Sequence, residues 1–229
     1  MFSQPPRLVG FGNSAMREIW LIRHAESTAN IGATTSSPAT IPLTDKGLAQ
    51  AECVAAYIEK QPDLVVSSPF LRAQQTAAPL REKFPGVEKQ EWDVQEFTYL
   101  APEHCQNTTL TDRKPLVDAY WARSAPNYSD GAGAESFADF LLRVRGMMQR
   151  IATQESGFVV VFTHGQFIQA SMWLMWSNMK EVTPKAMAEF RSFLLSLSVP
   201  NAGIIKVRYL DELFFSGVIT SHLRAELRR

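Results

Sequence analysis

Cysteine is almost missing from this chain. Cys53 and Cys105 are the two examples in 229 residues, and no CxxC pair exists. That leaves neither a disulfide framework nor a thiolate zinc site, and reduced thiols make the cytoplasm the expected location. No apolar run approaches the roughly 20 residues needed to span a bilayer. The opening stretch, MFSQPPRLVGFGNSAM, has prolines where a signal peptide has its apolar segment, so secretion is not expected. Net charge is missing too: 23 basic residues offset 23 acidic ones. Nothing global therefore points to nucleic acid or an anionic membrane as partner. There is no internal repeat and no low-complexity tract. What remains is ordinary globular composition, 45% hydrophobic and 20% charged, at a length that suits one domain with room for an insertion.

Residues 1–15 contain Pro5, Pro6, Gly10 and Gly12, show no periodicity, and read as a loose N-terminal arm. The first firm strand is about Arg17–Ile22. Thr44 then suits the N-cap of a helix with the apolar stripe Leu48, Ala51, Ala55 and Ile58. A strand at Leu64–Val66 runs into Ser67-Ser68-Pro69, where Ser68 suits an N-cap and Pro69 the first helical position. That helix would carry Arg72 in its first turn and kink or end at Pro79. Residues of about 97–133 hold five prolines and glycines (Pro102, Pro115, Pro126, Gly131, Gly133) among Tyr99, Tyr120, Trp121 and Tyr128. They read as a partly helical insertion or cap whose aromatics form a small core more readily than a pocket roof.

Phe137, Phe140, Leu141, Val144, Met147, Met148 and Ile151 then share one face of a long helix. A buried strand at Phe158–Phe162 leads directly into another helix. The tail offers a helical stretch near Pro184–Phe193 and strand-like pieces at Leu195–Val199, Gly203–Tyr209 and Leu213–Thr220. Strands alternate with helices, and three apolar runs are continuous, as in strands buried on both sides. The expectation is a single α/β domain over 1–229: a three-layer α/β/α sandwich, with a mostly parallel central sheet, helices on both faces and a cap-like insertion.

Three of these strands end in polar residues: the first in Arg23-His24, the second in Ser67-Ser68 with Arg72 one turn on, the third in Thr163-His164-Gly165. Ligands of open α/β sheets bind beyond the carboxyl ends of the strands. If the three run parallel, two arginines and two histidines converge on one rim. Arginine's planar fork suits phosphate or carboxylate oxygens. Helix starts after Ser68 and His164 would add N–H groups and partial positive charge. A neutral imidazole can also attack phosphorus and carry the group covalently.

Five blocks carry a family resemblance: LIRHAESTAN (Leu21–Asn30), IPLTDKGLAQA (Ile41–Ala51), VVSSPFLRAQQTA (Val65–Ala77), GAESFADFLLRV (Gly133–Val144) and VVVFTHGQFIQA (Val159–Ala170). Together they resemble the histidine phosphatase superfamily, in its phosphoglycerate-mutase-like branch one. Ala25 departs from the family's usual glycine and adds a Cβ close to the phosphate loop. The resemblance implies that His24 is the nucleophile, that Arg23, Arg72 and His164 hold phosphoryl oxygens, and that Asn30 also donates to them. Gly165 follows His164 in the same substrate-binding block. The resemblance further assigns the proton donor to Glu96, although Glu91, Asp93 and Glu103 are nearby rivals that spacing alone does not reject. Glu26 and Ser27 follow the nucleophile in the family pattern, with Ser27 read as a loop hydrogen-bonder. Glu135 is given a structural role, bonding to the histidine loop or capping the long helix. His104 and His222 read as ordinary histidines.

The implied activity is metal-independent hydrolysis of a small phosphorylated metabolite through phosphohistidine, with no cofactor, no metal, no nucleic acid and no membrane partner. Oligomeric state stays open, a homodimer being one arrangement. Phosphoglycerate mutase is the alternative within enzymes, but the insertion carries only scattered Arg113, Lys114 and Arg123. A non-catalytic phospho-ligand or partner-binding relative is the second alternative. A site with His24, Glu96 and His164 as metal ligands is the third, opposed by the arginines in the same pocket.

Overall fold

Neighbouring residues of the central strands serve two different cores. Ile19, Leu21, Leu64, Val66, Val159 and Val161 belong to one cluster. Trp20, Ile22, Val65, Phe158, Val160 and Phe162 belong to the other. Alternate side chains of a strand leave opposite faces, so continuous apolar runs require both faces to be covered. The computed structural model describes residues 17–153, 157–177, 179, 181–209 and 213–228; the expected N-terminal arm, 1–15, lies outside the described residues.

The strands are β1 (Arg17–Arg23), β2 (Leu64–Ser67), β3 (Glu88–Glu91), β4 (Phe158–Thr163), β5 (Ile204–Tyr209) and β6 (Leu213–Phe215). They form a six-stranded sheet in the order β3-β2-β4-β1-β5-β6. β3, β2, β4 and β1 run parallel. β5 and β6 are antiparallel to their neighbours. Helices α1 (Asp45–Tyr57) and α2 (Leu71–Lys83) cover one face. Helices α5 (Phe137–Thr153), α6 (Gly165–Ser177) and α7 (Pro184–Ser196) cover the other. This is the expected three-layer, mostly parallel α/β/α architecture. None of the helices among the described residues is long and apolar enough to cross a membrane.

Several local expectations are corrected. The buried apolar face of α1 is Ala51, Val54 and Ala55, followed by Ile58 just past its end, with Leu48 left 46% exposed. α2 starts at Leu71, after Ser68 and Pro69, and continues through Pro79 to Lys83. A proline removes one backbone bond, and the buried Ala73, Thr76, Ala77 and Leu80 hold the helix to the sheet on both sides of it. Leu195–Val199 is no strand: α7 runs to Ser196, and Val199 is apolar because it packs into the core. β3, Glu-Lys-Gln-Glu, has no apolar pattern. Its pairing with β2 defines it, and its charges suit an exposed sheet edge.

Residues 97–133 contain α3 (Pro102–Cys105) and α4 (Leu110–Arg123). Their aromatics do not form a separate core. Phe97, Tyr99, Tyr120 and Trp121 join the cluster of Phe137 and Phe140, and the Phe97 and Phe140 rings stack at 4.3 Å. Each such ring contributes roughly 1.5–3 kcal/mol by leaving water. A Thr35–Thr108 bridge fastens this segment to the loop after β1.

β1 leads toward α1 on one face, whereas the adjacent β4 leads to α6 on the other. Their carboxyl ends therefore open a crevice. The start of α1 braces the first of those ends. Thr44 caps α1 by accepting from Gly47 N at 3.0 Å, and Gln50 Oε1 accepts from Glu26 N at 2.8 Å. A Cβ on Gly47 would lie 2.0 Å from the Glu26 carbonyl oxygen. Gly47→Ala is expected to force α1 and the histidine loop apart at a cost of about 1–3 kcal/mol. Urea unfolding should show the lower midpoint; an unchanged midpoint contradicts the close approach.

Candidate active site

His24 continues the β1 ladder, its N–H donating to Thr163 O at 2.8 Å. The next peptide is held from three directions. Ala25 N donates to Thr76 Oγ1 at 3.0 Å. The His24 carbonyl accepts from Ala202 N at 3.2 Å and from Asn201 Nδ2 at 3.1 Å. Ala25 itself is fully buried, its methyl group absorbed by the core of the α1–α2 face, so the extra Cβ is accommodated. The side chain of His24 is fixed by its own loop: Nδ1 lies 2.8 Å from Ala25 O. A carbonyl only accepts, so Nδ1 carries the proton and Nε2 keeps its lone pair.

His164 sits against His24, with ring centroids 5.1 Å apart. Arg72 Nη2 lies 3.0 Å from His164 Nδ1 and must donate to it, so Nε2–H donates to Ser68 Oγ at 2.9 Å. Arg72 Nη1 donates to Pro38 O at 2.6 Å. Arg23 Nη1 donates to Val199 O at 2.6 Å, while its Nε is buried without a partner. Burial pushes both imidazoles well below the ordinary histidine value, and the Arg72 and Arg23 guanidiniums push the same way. Burial lowers Arg72 to about 10, opposed by the charge of Glu96, so it stays cationic at neutral pH. The site thus pairs neutral imidazoles with charged guanidiniums.

Glu96 arrives from another direction. The chain after β3 crosses the ends of β2 and β4, with Trp92 N donating to Ser67 O and Thr163 Oγ1 to Val94 O. The Glu96 carboxylate then accepts from Gln166 N, in the first turn of α6, at 3.1 Å. The anion on that helix N-terminus is therefore a side chain of the protein. Nor does Ser68 start a helix; its hydroxyl serves His164 and Phe70 N instead. Glu135 neither reaches the histidine loop nor caps α5; Ser136 Oγ accepts from Asp139 N at that start. Glu135 clamps Arg143 with bonds of 2.8 and 2.7 Å, and Arg143 Nη1 donates to the carbonyls of Asp93 and Gln95 at 2.9 Å each. The clamp grips the two residues that flank the approach to Glu96.

A cavity of about 300 Å³ opens here, its lining including Arg23, His24, Asn30, Arg72, Glu96 and Gln166. Glu91, Asp93 and Glu103 do not line it. Asn30 Oδ1 accepts from Ser27 N, Ser27 Oγ and Asn201 Nδ2, which leaves its own Nδ2 as a donor. Two expected ligand-binding residues, His164 and Gly165, are not among the residues that line it. His164 is fully buried with both ring nitrogens engaged, and Gly165 lies against the Arg23 side chain, 3.5 Å from Nε to where a Cβ would stand. Glu26 faces Lys46 (2.6 Å) and Thr44, outside the chemistry. His104 pairs with Asp130, and His222 meets the Ala202 carbonyl. Among the described residues no group of three or more His, Cys, Asp or Glu is arranged to hold a metal ion.

The sequence model of the histidine phosphatase superfamily (branch 1) matches residues 19–212. The chain belongs to this superfamily. Among curated relatives, the adenosylcobalamin/α-ribazole phosphatase of Escherichia coli strain K12 is 27% identical over 76% of this chain and 84% of its own length. The Salmonella typhi protein of the same name is 29% identical over 58% of this chain; the match spans 66% of that enzyme, just under two thirds. The metal-independent phosphoserine phosphatase of Arabidopsis thaliana is 27% identical over 69% of this chain and 68% of its length. Solved structures share the fold. A putative α-ribazole-5'-phosphate phosphatase from Escherichia coli aligns with TM-score 0.68 at 20% identity, covering 89% of this chain and 96% of that one. A mycobacterial glucosyl-3-phosphoglycerate phosphatase gives 0.67 at 20% identity, covering 89% and 98%.

Thr76, Asn201, Gln166 and Arg143 shape this candidate site and carry no sequence signal read for that role. Thr76 follows Arg72 by one helical turn, which could have placed it on the same face. The clamp makes a separable prediction. Glu135→Gln should loosen the segment bearing Glu96, lowering kcat roughly 10–100-fold on a phosphomonoester with little change in KM. Steady-state kinetics with a folding check decides it, and a kcat equal to the parent's removes the positioning role.

Proposed function

We propose that this chain is a metal-independent phosphomonoester hydrolase acting on a small phosphorylated metabolite through phosphohistidine at His24. The observation that carries the reading is the His24 Nδ1 bond to Ala25 O in a cavity that Arg23, Arg72 and Glu96 also line. Nε2 attacks phosphorus, and the bond from phosphorus to the ester oxygen breaks. The carboxyl group of Glu96 supplies the proton to that leaving oxygen. Arg23, Arg72 and Asn30 Nδ2 stabilise the charge that builds on the other phosphoryl oxygens. His164 supports them by orienting Arg72 and shielding His24. In the second half, the Glu96 carboxylate takes a proton from water as that water attacks phosphorus. The phosphorus–nitrogen bond breaks, freeing phosphate and neutral His24.

The relatives' names support a phosphatase and span chemically different substrates, so a named metabolite does not follow from them. A cavity of about 300 Å³ is at the small end of ligand pockets and suits a metabolite. Convergence of His24, Arg23, Arg72 and Glu96 favours an enzyme over a phospho-ligand scaffold. The test is phosphate release from p-nitrophenyl phosphate and a metabolite panel, in excess chelator. Turnover should persist with chelator, and His24→Ala should lose it by at least about a thousandfold. No release across the panel, or release that survives His24→Ala, overturns the reading.

A further inference from the structure

The turn between α7 and β5 touches Arg23, His24, Ala25 and Asn30. Val199 O accepts from Arg23 Nη1 at 2.6 Å, and Gly203 O accepts from Arg23 N at 3.0 Å. Ala202 N and Asn201 Nδ2 both donate to His24 O, at 3.2 and 3.1 Å. Asn201 Nδ2 also lies 3.3 Å from Ala25 O and 3.1 Å from Asn30 Oδ1. The carbonyl that receives the His24 Nδ1 proton is thus reached from this turn.

The turn is not relaxed. Ala202 has a φ of 57°, in the left-handed region that alanine rarely adopts. Such backbone persists only where its surroundings hold it. The last segment of the chain supplies that hold. Ile204 and Ile219 exchange backbone bonds of 3.1 and 2.8 Å, which bring the following residues to the turn. His222 Nε2 then lies 3.0 Å from Ala202 O. A carbonyl only accepts, so Nε2 carries a proton and donates it. Burial pushes His222 below the ordinary histidine value, so at neutral pH the ring has that one proton and commits it to Ala202. Nδ1 is buried without a hydrogen-bond partner among the described residues. The ring sits beside Tyr57 of α1, with centroids 5.3 Å apart. Ala202 is therefore held at both ends, its N–H on His24 and its carbonyl on His222. The same segment meets the histidine loop a second time through Gln50, whose Nε2 donates to Leu227 O at 2.7 Å while its Oε1 accepts from Glu26 N. Both His222 and Leu227 lie past residue 212, where the match to the superfamily model ends.

We propose that His222 is a positioning residue for the nucleophile, fixing the His24–Ala25 peptide through Ala202 and Asn201. This rests on the hydrolase reading for the reaction that it serves. Without the His222 donor, Ala202 relaxes out of the left-handed region. Its N–H then turns from His24 O, and Asn201 Nδ2 withdraws from Ala25 O. The Ala25 carbonyl no longer holds the Nδ1 proton in one direction, and Nε2 loses its aim at phosphorus. Arg72 keeps its own supports, Pro38 O and His164, so substrate binding suffers less than the chemical step.

The test separates the donor from the ring. His222→Phe keeps a ring beside Tyr57 and removes the donor, whereas His222→Gln places an amide N–H near the position of Nε2. On p-nitrophenyl phosphate, His222→Phe should lower kcat by about tenfold or more, with KM changed by less than about twofold. His222→Gln should recover most of that loss. Long-range ¹⁵N–¹H spectra of histidine-labelled protein give a second readout that needs no turnover. The His24 signals should leave the pure Nδ1–H pattern in the phenylalanine variant and return to it in the glutamine variant. If His222→Phe does not fold, His222→Asn takes its place, because the shorter side chain stops short of Ala202 O. A parent-like kcat together with parent-like His24 signals in the variant lacking the donor overturns the proposal. So does an equal loss in the phenylalanine and glutamine variants, the mark of a ring that only fills space against Tyr57. If the parent hydrolyses no phosphoester while the His24 signals still follow the donor, the hydrolase reading fails and the positioning role stands.

Discussion

The bond from His24 Nδ1 to the carbonyl of its own neighbour, Ala25, is the constraint around which the rest is arranged. It decides which ring nitrogen is basic, and it works only if the Ala25 peptide cannot turn. That peptide is fixed by distant parts of the chain: Thr76 from α2 takes its N–H, and Asn201 Nδ2 lies 3.3 Å from its carbonyl. The start of α1 closes on Glu26 through Gly47 and Gln50. The core on that side of the sheet makes these approaches reproducible, because α1 and α2, which supply Gly47, Gln50 and Thr76, pack side by side on one face.

Charge is handled by separation. Burial and neighbouring guanidiniums keep both imidazoles neutral, so the basic nitrogen of His24 is available at ordinary pH. The arginines keep their charge because arginine begins from so high a value that burial cannot neutralise it. Glu96 offsets part of that charge, and its side chain accepts from Gln166 N in the first turn of α6. The helix terminus is therefore occupied by Glu96, and the two arginines stand apart from it.

Arg23, His24, Arg72 and His164 were legible because each follows a short apolar strand at the point where polarity begins. That edge is a local pattern, and the parallel sheet turns it into proximity. Glu96 was reachable only through family resemblance, since its position depends on Thr163, Arg143 and Glu135, none adjacent to it in sequence. Asn201 and Gly47 were illegible for the same reason: their contacts span distances along the chain that no window covers. The standing of His164 behind Arg72, and of Gly165 behind Arg23, is likewise a matter of side-chain direction. β3 was missed because pairing with β2, and no apolar pattern, makes it a strand. Pro79 misled in the opposite sense, as packing along α2 outweighed the local break.

Tautomer measurement tests the central claim most directly. The chain has four histidines, so long-range ¹⁵N–¹H correlation spectra of histidine-labelled protein can be assigned by single substitutions. At neutral pH, His24 is predicted to be neutral with its proton on Nδ1, and His164 neutral with its proton on Nε2. A His24 ring that carries its proton on Nε2, or that is doubly protonated under those conditions, would contradict the account.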